Sequence, residues 1–143
     1  MQRNKYLEDL GLNINEYGVN PLSEKKDSRK RRWRKQKRDY GFDDRETWGL
    51  DYCFAEWLYS HLMMYKEMAG KIVNLNYYKF NWQGKEITQL EAIDILINAS
   101  RDYILVENSY VKNIMSLEEI NKIHNTFKES MTLWGMIIQY MWW

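Results

Sequence analysis

The stretch from Asp43 to Gly70, DDRETWGLDYCFAEWLYSHLMMYKEMAG, constrains this chain more than any other because it is apolar on two sides. Trp48, Tyr52, Ala55, Leu58 or Tyr59, Leu62 and Tyr65 recur at three- and four-residue steps. Leu50, Phe54, Trp57, His61, Met64 and Met68 repeat the pattern about half a turn away. A surface helix needs one apolar stripe, so two predict a spine packed from both sides. Asp43 and Glu46 have the spacing of a capping box, and Gly70 stands where a left-handed residue ends a helix. Of the acidic group Asp43, Asp44, Glu46 and Asp51, the first three are read as helix-start charges; a metal site would need the His and Cys spacing that is missing here.

The basic residues are concentrated in one run. The segment from Lys25 to Arg38 holds ten of the 21 basic residues and a single acid, Asp27, leaving 11 basic against 19 acidic residues elsewhere. The net charge of +1 therefore hides a basic arm joined to an acidic body. The arm consists of good helix formers, with Ser28 as an expected cap. In it, only Trp33 and then Tyr40 are apolar and spaced to share a face. Arginine forks match phosphate oxygens and an interleaved indole stacks on a base. The expected ligand-binding residues are Arg29, Arg31, Arg32, Trp33, Arg34, Lys35, Arg38 and Tyr40, with a nucleotide signal or nucleic acid as partner. The bland alternative is a solvated arm lying on the acidic body or on another subunit.

Before the arm, Asn4 to Leu10 reads as a short helix capped by Asn4 and stopped by Gly11, followed by irregular chain to Pro21. Beyond Gly70 the period changes. Lys71 to Trp82 alternates and is rich in β-branched and aromatic residues, Gln83-Gly84 offers a turn, and Lys85 to Ile87 a return strand. A small hairpin is expected there, or an ordered loop closed by Trp82. Thr88 with Glu91 opens a helix through Leu90, Ile93, Ile97 and Ile104, which breaks at Asn108-Ser109 or runs on to about Ile114. Ser116 with Glu119 opens a last helix whose stripe is Ile120, Ile123, Phe127, Met131, Trp134, Ile138 and Met141. Gly135 inside it suggests close helix contact, because glycine there costs about 1 kcal/mol relative to alanine.

The expected fold is mainly α: three long helices in a bundle, a short β-hairpin or ordered loop between the first two, and a basic N-terminal arm. Residues 1–42 form the arm region and 43–143 the bundle domain. Hydrophobic residues at 45% and aromatics at 15% argue against disorder across the chain. Single Cys53 excludes an internal disulfide, suits a reducing compartment, and reads as a small buried hydrophobe. Without a signal peptide or a membrane-length apolar run, a soluble cytoplasmic protein is expected, with no membrane partner. His61 and His124 lie near apolar stripes without a nucleophile or acid indicated beside them, and no catalytic motif is present. The expectation is a non-enzymatic protein with no cofactor. Trp142 and Trp143, with Trp134, are expected at a homo-oligomer interface, since exposed indoles favour association.

The segment YGFDDRETWGLDYCFAEWLYSHLMMYKE, preceded by the basic run, resembles a group of small proteins from bacteriophages and prophages. The matching residues are Tyr40, Gly41, Phe42, Glu46, Trp48, Leu50, Asp51 and Tyr52, with Trp134 to Trp143 a looser match, about a quarter of the chain. The resemblance implies a phage source, acting inside an infected bacterial host, and brings no catalytic residues. With the basic arm it suggests an accessory protein, of anti-defence type, binding a phosphate-bearing partner. The rival expectation is a protein–protein module, an inhibitor of a host protein or a virion component, using the aromatic surface.

Overall fold

A computed structural model describes residues 4–11, 28–107 and 113–143. The chain is mainly α, with one two-stranded antiparallel sheet among the described residues. It divides into two compact units, 1–54 and 55–143. The division falls beyond the expected 42/43 boundary, because Asp43, Asp44, Arg45 and Trp48 all bond or stack onto the basic helix before them.

The first unit opens with α1, Lys5–Glu8, whose start is capped as expected by the Asn4 side chain accepting from Leu7 N. Gly11 follows with φ of 73°. The basic run folds as α2, Lys30–Tyr40. Arg29 rather than Ser28 stands at its start, with no side-chain cap. Gly41 closes it in the left-handed conformation, φ 85°, its N–H donating to Lys37 O at 2.9 Å. Asp43 then begins a 3₁₀ turn, Asp44–Thr47, instead of the long helix. Its carboxylate accepts from Arg45 N and is occupied by the Arg45 guanidinium, so no capping box with Glu46 forms. Helix α3 starts only at Leu50 and runs to Ala69. Cys53 within it is half-buried rather than buried.

In the second unit α3 buries Ala55, Leu58, Tyr59 and Leu62, the central part of the first expected stripe, and Ala69 beyond it. The second stripe stays outside: Trp57, His61, Met64 and Met68 are all exposed. Among the described residues, one side of the helix is covered over this length, not two. Gly70 does not adopt a positive φ; the chain leaves α3 through a run of turns instead.

The alternating 71–82 run becomes strand only in its last four residues, β1, Lys79–Trp82, which pairs with β2, Lys85–Thr88. Upstream, Leu75 is buried and its carbonyl accepts from Leu90 N, so the preceding residues wrap the start of the next helix instead of extending the ladder. The two-residue turn has φ of 50° at Gln83 and 78° at Gly84. Both values are positive, as the twist of a tight hairpin demands.

Helix α4, Gln89–Glu107, follows β2 without a loop. Thr88 and Glu91 form the expected capping box, Glu91 N donating to Thr88 Oγ1 at 3.2 Å and Thr88 N to Glu91 Oε2 at 2.8 Å. The expected break at Asn108-Ser109 lies outside the described residues. Helix α5, Leu117–Ile137, has the Ser116–Glu119 box complete. Ser116 donors hold the Glu119 carboxyl below its ordinary pKa.

Helices α4 and α5 make the main packing of this unit, around Ala92, Ile93, Leu96, Ile104, Val106, Leu133 and Ile137, all fully buried. The buried line on α5 runs through Phe127, Ser130, Leu133 and Ile137, one position round from the expected stripe, which leaves Ile138 half exposed. Ser130 is accepted inside because its hydroxyl donates to Phe127 O at 2.7 Å. Gly135 is exposed with no atom near its absent Cβ, so close helix contact is not why glycine stands there.

Candidate nucleic-acid interface

Helix α2 has a self-repulsion problem. Lys30 and Arg34, Arg31 and Lys35, and Arg34 and Arg38 are like charges four residues apart, an arrangement that destabilises an isolated helix. What holds it is the one apolar side chain in the run. Trp33 is only 3% exposed, and its Nε1 donates to Asp44 Oδ1 at 2.8 Å. The Arg45 guanidinium carbon lies 4.3 Å from its ring centroid and that of Arg29 lies 5.0 Å away. Trp48 meets the ring edge-on at 6.4 Å. Cation–π contact of this kind strengthens where water is excluded.

Two carboxylates complete the anchor. Asp44 Oδ2 is 2.7 Å from Arg32 Nη2, and Asp44 N donates to Gln36 Oε1 at 3.2 Å. Asp43, 1% exposed, takes Arg45 Nε at 2.9 Å and Nη2 at 2.7 Å, with Lys37 Nζ 3.6 Å away. The Arg45 hydrogen bonds hold the Asp43 carboxyl below its ordinary value, against the opposing effect of burial. Thus Arg29, Arg32, Trp33, Gln36 and Lys37 are turned to the short acidic segment that follows the helix.

The opposite side of α2 carries Arg31, Arg34, Lys35 and Arg38, spaced i, i+3, i+4 and i+7 and all exposed. Among the described residues, no ion pair engages Arg31, Arg34 or Lys35; Arg38 Nε donates to Asp39 Oδ1 at 3.0 Å. Four cations on one face span roughly 10 Å of helix, a length along which one DNA strand carries about three phosphates.

The eight expected ligand-binding residues therefore separate. Arg31, Arg34, Lys35 and Arg38 form the outward row, while Arg29, Arg32 and Trp33 form the anchor, and Tyr40 sits 72% exposed at the helix end. Trp33 is not placed as a base-stacking ring: it is only 3% exposed, with the Arg29 and Arg45 guanidinium groups over its ring and Trp48 packed against it. Sequence reasoning passed over Asp43, Asp44, Arg45 and Gln36 as the groups that position the helix. The signal was available, since a lone indole in a charged helix followed by Asp-Asp-Arg has more to gain from an internal anchor than from solvent.

The expected interface tryptophans lie in the second unit. Trp134 is half-buried, Trp142 is 65% and Trp143 is 56% exposed. The backbone leading to them is fastened: Gln89 Nε2 donates to Tyr140 O at 3.1 Å, and the Tyr65 hydroxyl donates to Trp142 O at 3.4 Å. Tyr140 packs on Tyr78 and Phe80, with centroids 4.7 and 5.3 Å away. Of the histidines, His124 Nε2 is 2.8 Å from Glu107 Oε1, and His61 Nδ1 is 2.7 Å from Trp57 O. Among the described residues no group of His, Cys, Asp and Glu is arranged to hold a metal, and no helix is long and apolar enough to cross a membrane. No family model, curated protein or solved structure matches this chain.

Proposed function

We propose that this chain is a non-enzymatic phage accessory protein that grips the phosphate backbone of nucleic acid with the outward row of α2. The observation that carries this is the alignment of Arg31, Arg34, Lys35 and Arg38 on one exposed face, while Arg32 and Lys37 pair with Asp44 and Asp43. An open row of cations suits an extended polyanion. A small nucleotide signal is less well served, because it needs an enclosing surface and the row lies along an open helix face. The resemblance of the Tyr40 to Tyr52 segment to small phage proteins supports the accessory role.

The test is fluorescence anisotropy with labelled single- and double-stranded DNA and RNA across a salt series, comparing the natural chain with Arg31→Ala/Arg34→Ala/Lys35→Ala. Loss of three phosphate contacts lowers the slope of log K against log salt by roughly 2 to 3 and weakens binding more than tenfold. Far-ultraviolet circular dichroism stays unchanged, because these side chains lie outside the anchor. Unaltered affinity in the triple variant would remove α2 as the site, and binding of mononucleotides alone would restore the small-ligand reading.

A further inference from the structure

The exposed row on α3 is the largest feature left without a role. Trp57, His61, Met64 and Met68 follow one another at steps of four, three and four residues, the spacing of a coiled-coil seam. Their exposures are 47% for Trp57, 56% for Met64 and 40% for Met68, and His61 is exposed as well. A narrow row of this spacing is the seam that one helix offers to another, so a helical partner fits it.

The row is also pre-organised. His61 Nδ1 faces a carbonyl oxygen, Trp57 O, at 2.7 Å, so that nitrogen carries the proton and donates. The bond holds the imidazole flat on the Trp57 indole, with centroids 4.3 Å apart and planes 25° from parallel. A fixed ring pair loses little rotamer freedom when it is covered. The two methionines beside it are adaptable fillers for an irregular surface. Trp142 lies at the margin, tied through its carbonyl to Tyr65, which stands between His61 and Met68 on the helix.

We infer that this face is the seam of a homodimer in which α3 pairs antiparallel with α3 of a second copy. The 4-3-4 spacing reads the same in both directions. Turning one helix over therefore sets Trp57 against Met68 of the other copy and His61 against Met64, and the two-fold axis repeats both layers. All four side chains find a partner, with large aromatic groups opposite flexible ones. A self-complementary patch of this kind is what an isologous two-fold contact requires. The area is sufficient. Residues of this size offer on the order of 200 Å² each, so the row with Trp142 leaves roughly 500 Å² outside on each copy, matching the ~1,000 Å² in total that a specific interface needs. This relocates the expected oligomer contact from the C-terminal tryptophans to α3, with Trp142 as its rim, and does not depend on the nucleic-acid reading of α2.

The test is sedimentation velocity of the full chain over a concentration series, beside Met64→Glu/Met68→Glu and, separately, Trp57→Glu. The natural chain should sediment at twice the 17.5 kDa chain mass. Both variants should fall to half that mass with unchanged helical circular dichroism, since none of these residues is in the core. Direction is read by oxidative cross-linking on a Cys53→Ser background. A mixture of His61→Cys chains and Met64→Cys chains should give the mixed disulfide in large excess over either chain with itself. A monomer at all concentrations, or a dimer that survives the glutamates, overturns the proposal. Preferential cross-linking of each chain to itself overturns the antiparallel arrangement.

Discussion

Trp33 in the first unit and Leu96 in the second are both buried, yet their surroundings have almost nothing in common. Around Trp33 stand two guanidinium groups, a second indole and the Asp44 carboxylate. Leu96 shares α4 with buried Ala92, Ile93 and Ser100, and Ser100 donates back to the Leu96 carbonyl. Among the described residues, α2 is held by charged groups placed around one buried ring, while the second unit is held by apolar area removed from water. The contrast explains how a helix as cationic as α2 persists: Arg32 and Lys37 are balanced by Asp44 and Asp43. Cohesion by charge is sensitive to acid and salt, whereas cohesion by area is not.

The largest effect that sharpens this comparison is expected in the apolar unit. Leu96→Ala should cost about 2 to 5 kcal/mol, as large-to-small changes in close-packed cores do, and should lower its melting temperature by calorimetry. Protection of the α2 amides against hydrogen exchange should be unaffected. A uniform loss of protection in both units would break the comparison, because it would mean they unfold as one.

Next in size is Trp33→Phe, which keeps the ring but removes the Nε1 donor to Asp44. A hydrogen bond to a charged acceptor contributes about 1.5 to 3 kcal/mol. The loss should appear as faster exchange in α2 with the melt of the second unit unchanged.

Acid should separate the units more gradually. The folded Asp43 carboxyl titrates below its ordinary pKa of 3.8, so its stabilising contribution is complete above that value. It is lost as pH falls through the lower, folded pKa. A titration from pH 6 to pH 2 should release α2, followed by amide exchange, and Asp43→Asn should abolish that step. Glu119 is displaced in the same direction by Ser116, so the start of α5 should fray in the same window while the α4 core holds. If α4 opens first, the assignment of charge to one unit and area to the other is wrong.

The smallest effect lies in the hairpin. Gln83 holds φ of 50°, which costs a side chain other than asparagine, aspartate or glycine. Gln83→Asn should stabilise the second unit by about 0.5 kcal/mol in chemical denaturation, as Asn-Gly suits this turn better.

Much of the fold was legible wherever the signal is local. The Thr88–Glu91 and Ser116–Glu119 boxes, the Asn4 cap and the Gln83-Gly84 turn depend on residues within four positions of each other, and each is found as the residue pattern predicts. The basic face was legible only in part. Which residues carry charge is written in the run, but which side of α2 faces solvent depends on Asp43 and Asp44, which lie in a different element. The start of α3 is displaced for a related reason: Asp43 does cap, but it caps the short 3₁₀ turn Asp44–Thr47 and holds the Arg45 guanidinium, and α3 begins beyond that turn.

By itself the sequence determined the mainly helical class, the hairpin, the capped helix starts and the separation of a basic run from an acidic remainder. These follow from propensity, period and composition, which act over one or two turns of chain. Only the tertiary structure decided that Trp33 is an anchor, that the buried line of α5 passes through Ser130, and that one of the two α3 stripes is left outside. Each of those outcomes is a competition for partners between residues far apart in sequence, and a periodic pattern records that a face is apolar without recording what covers it.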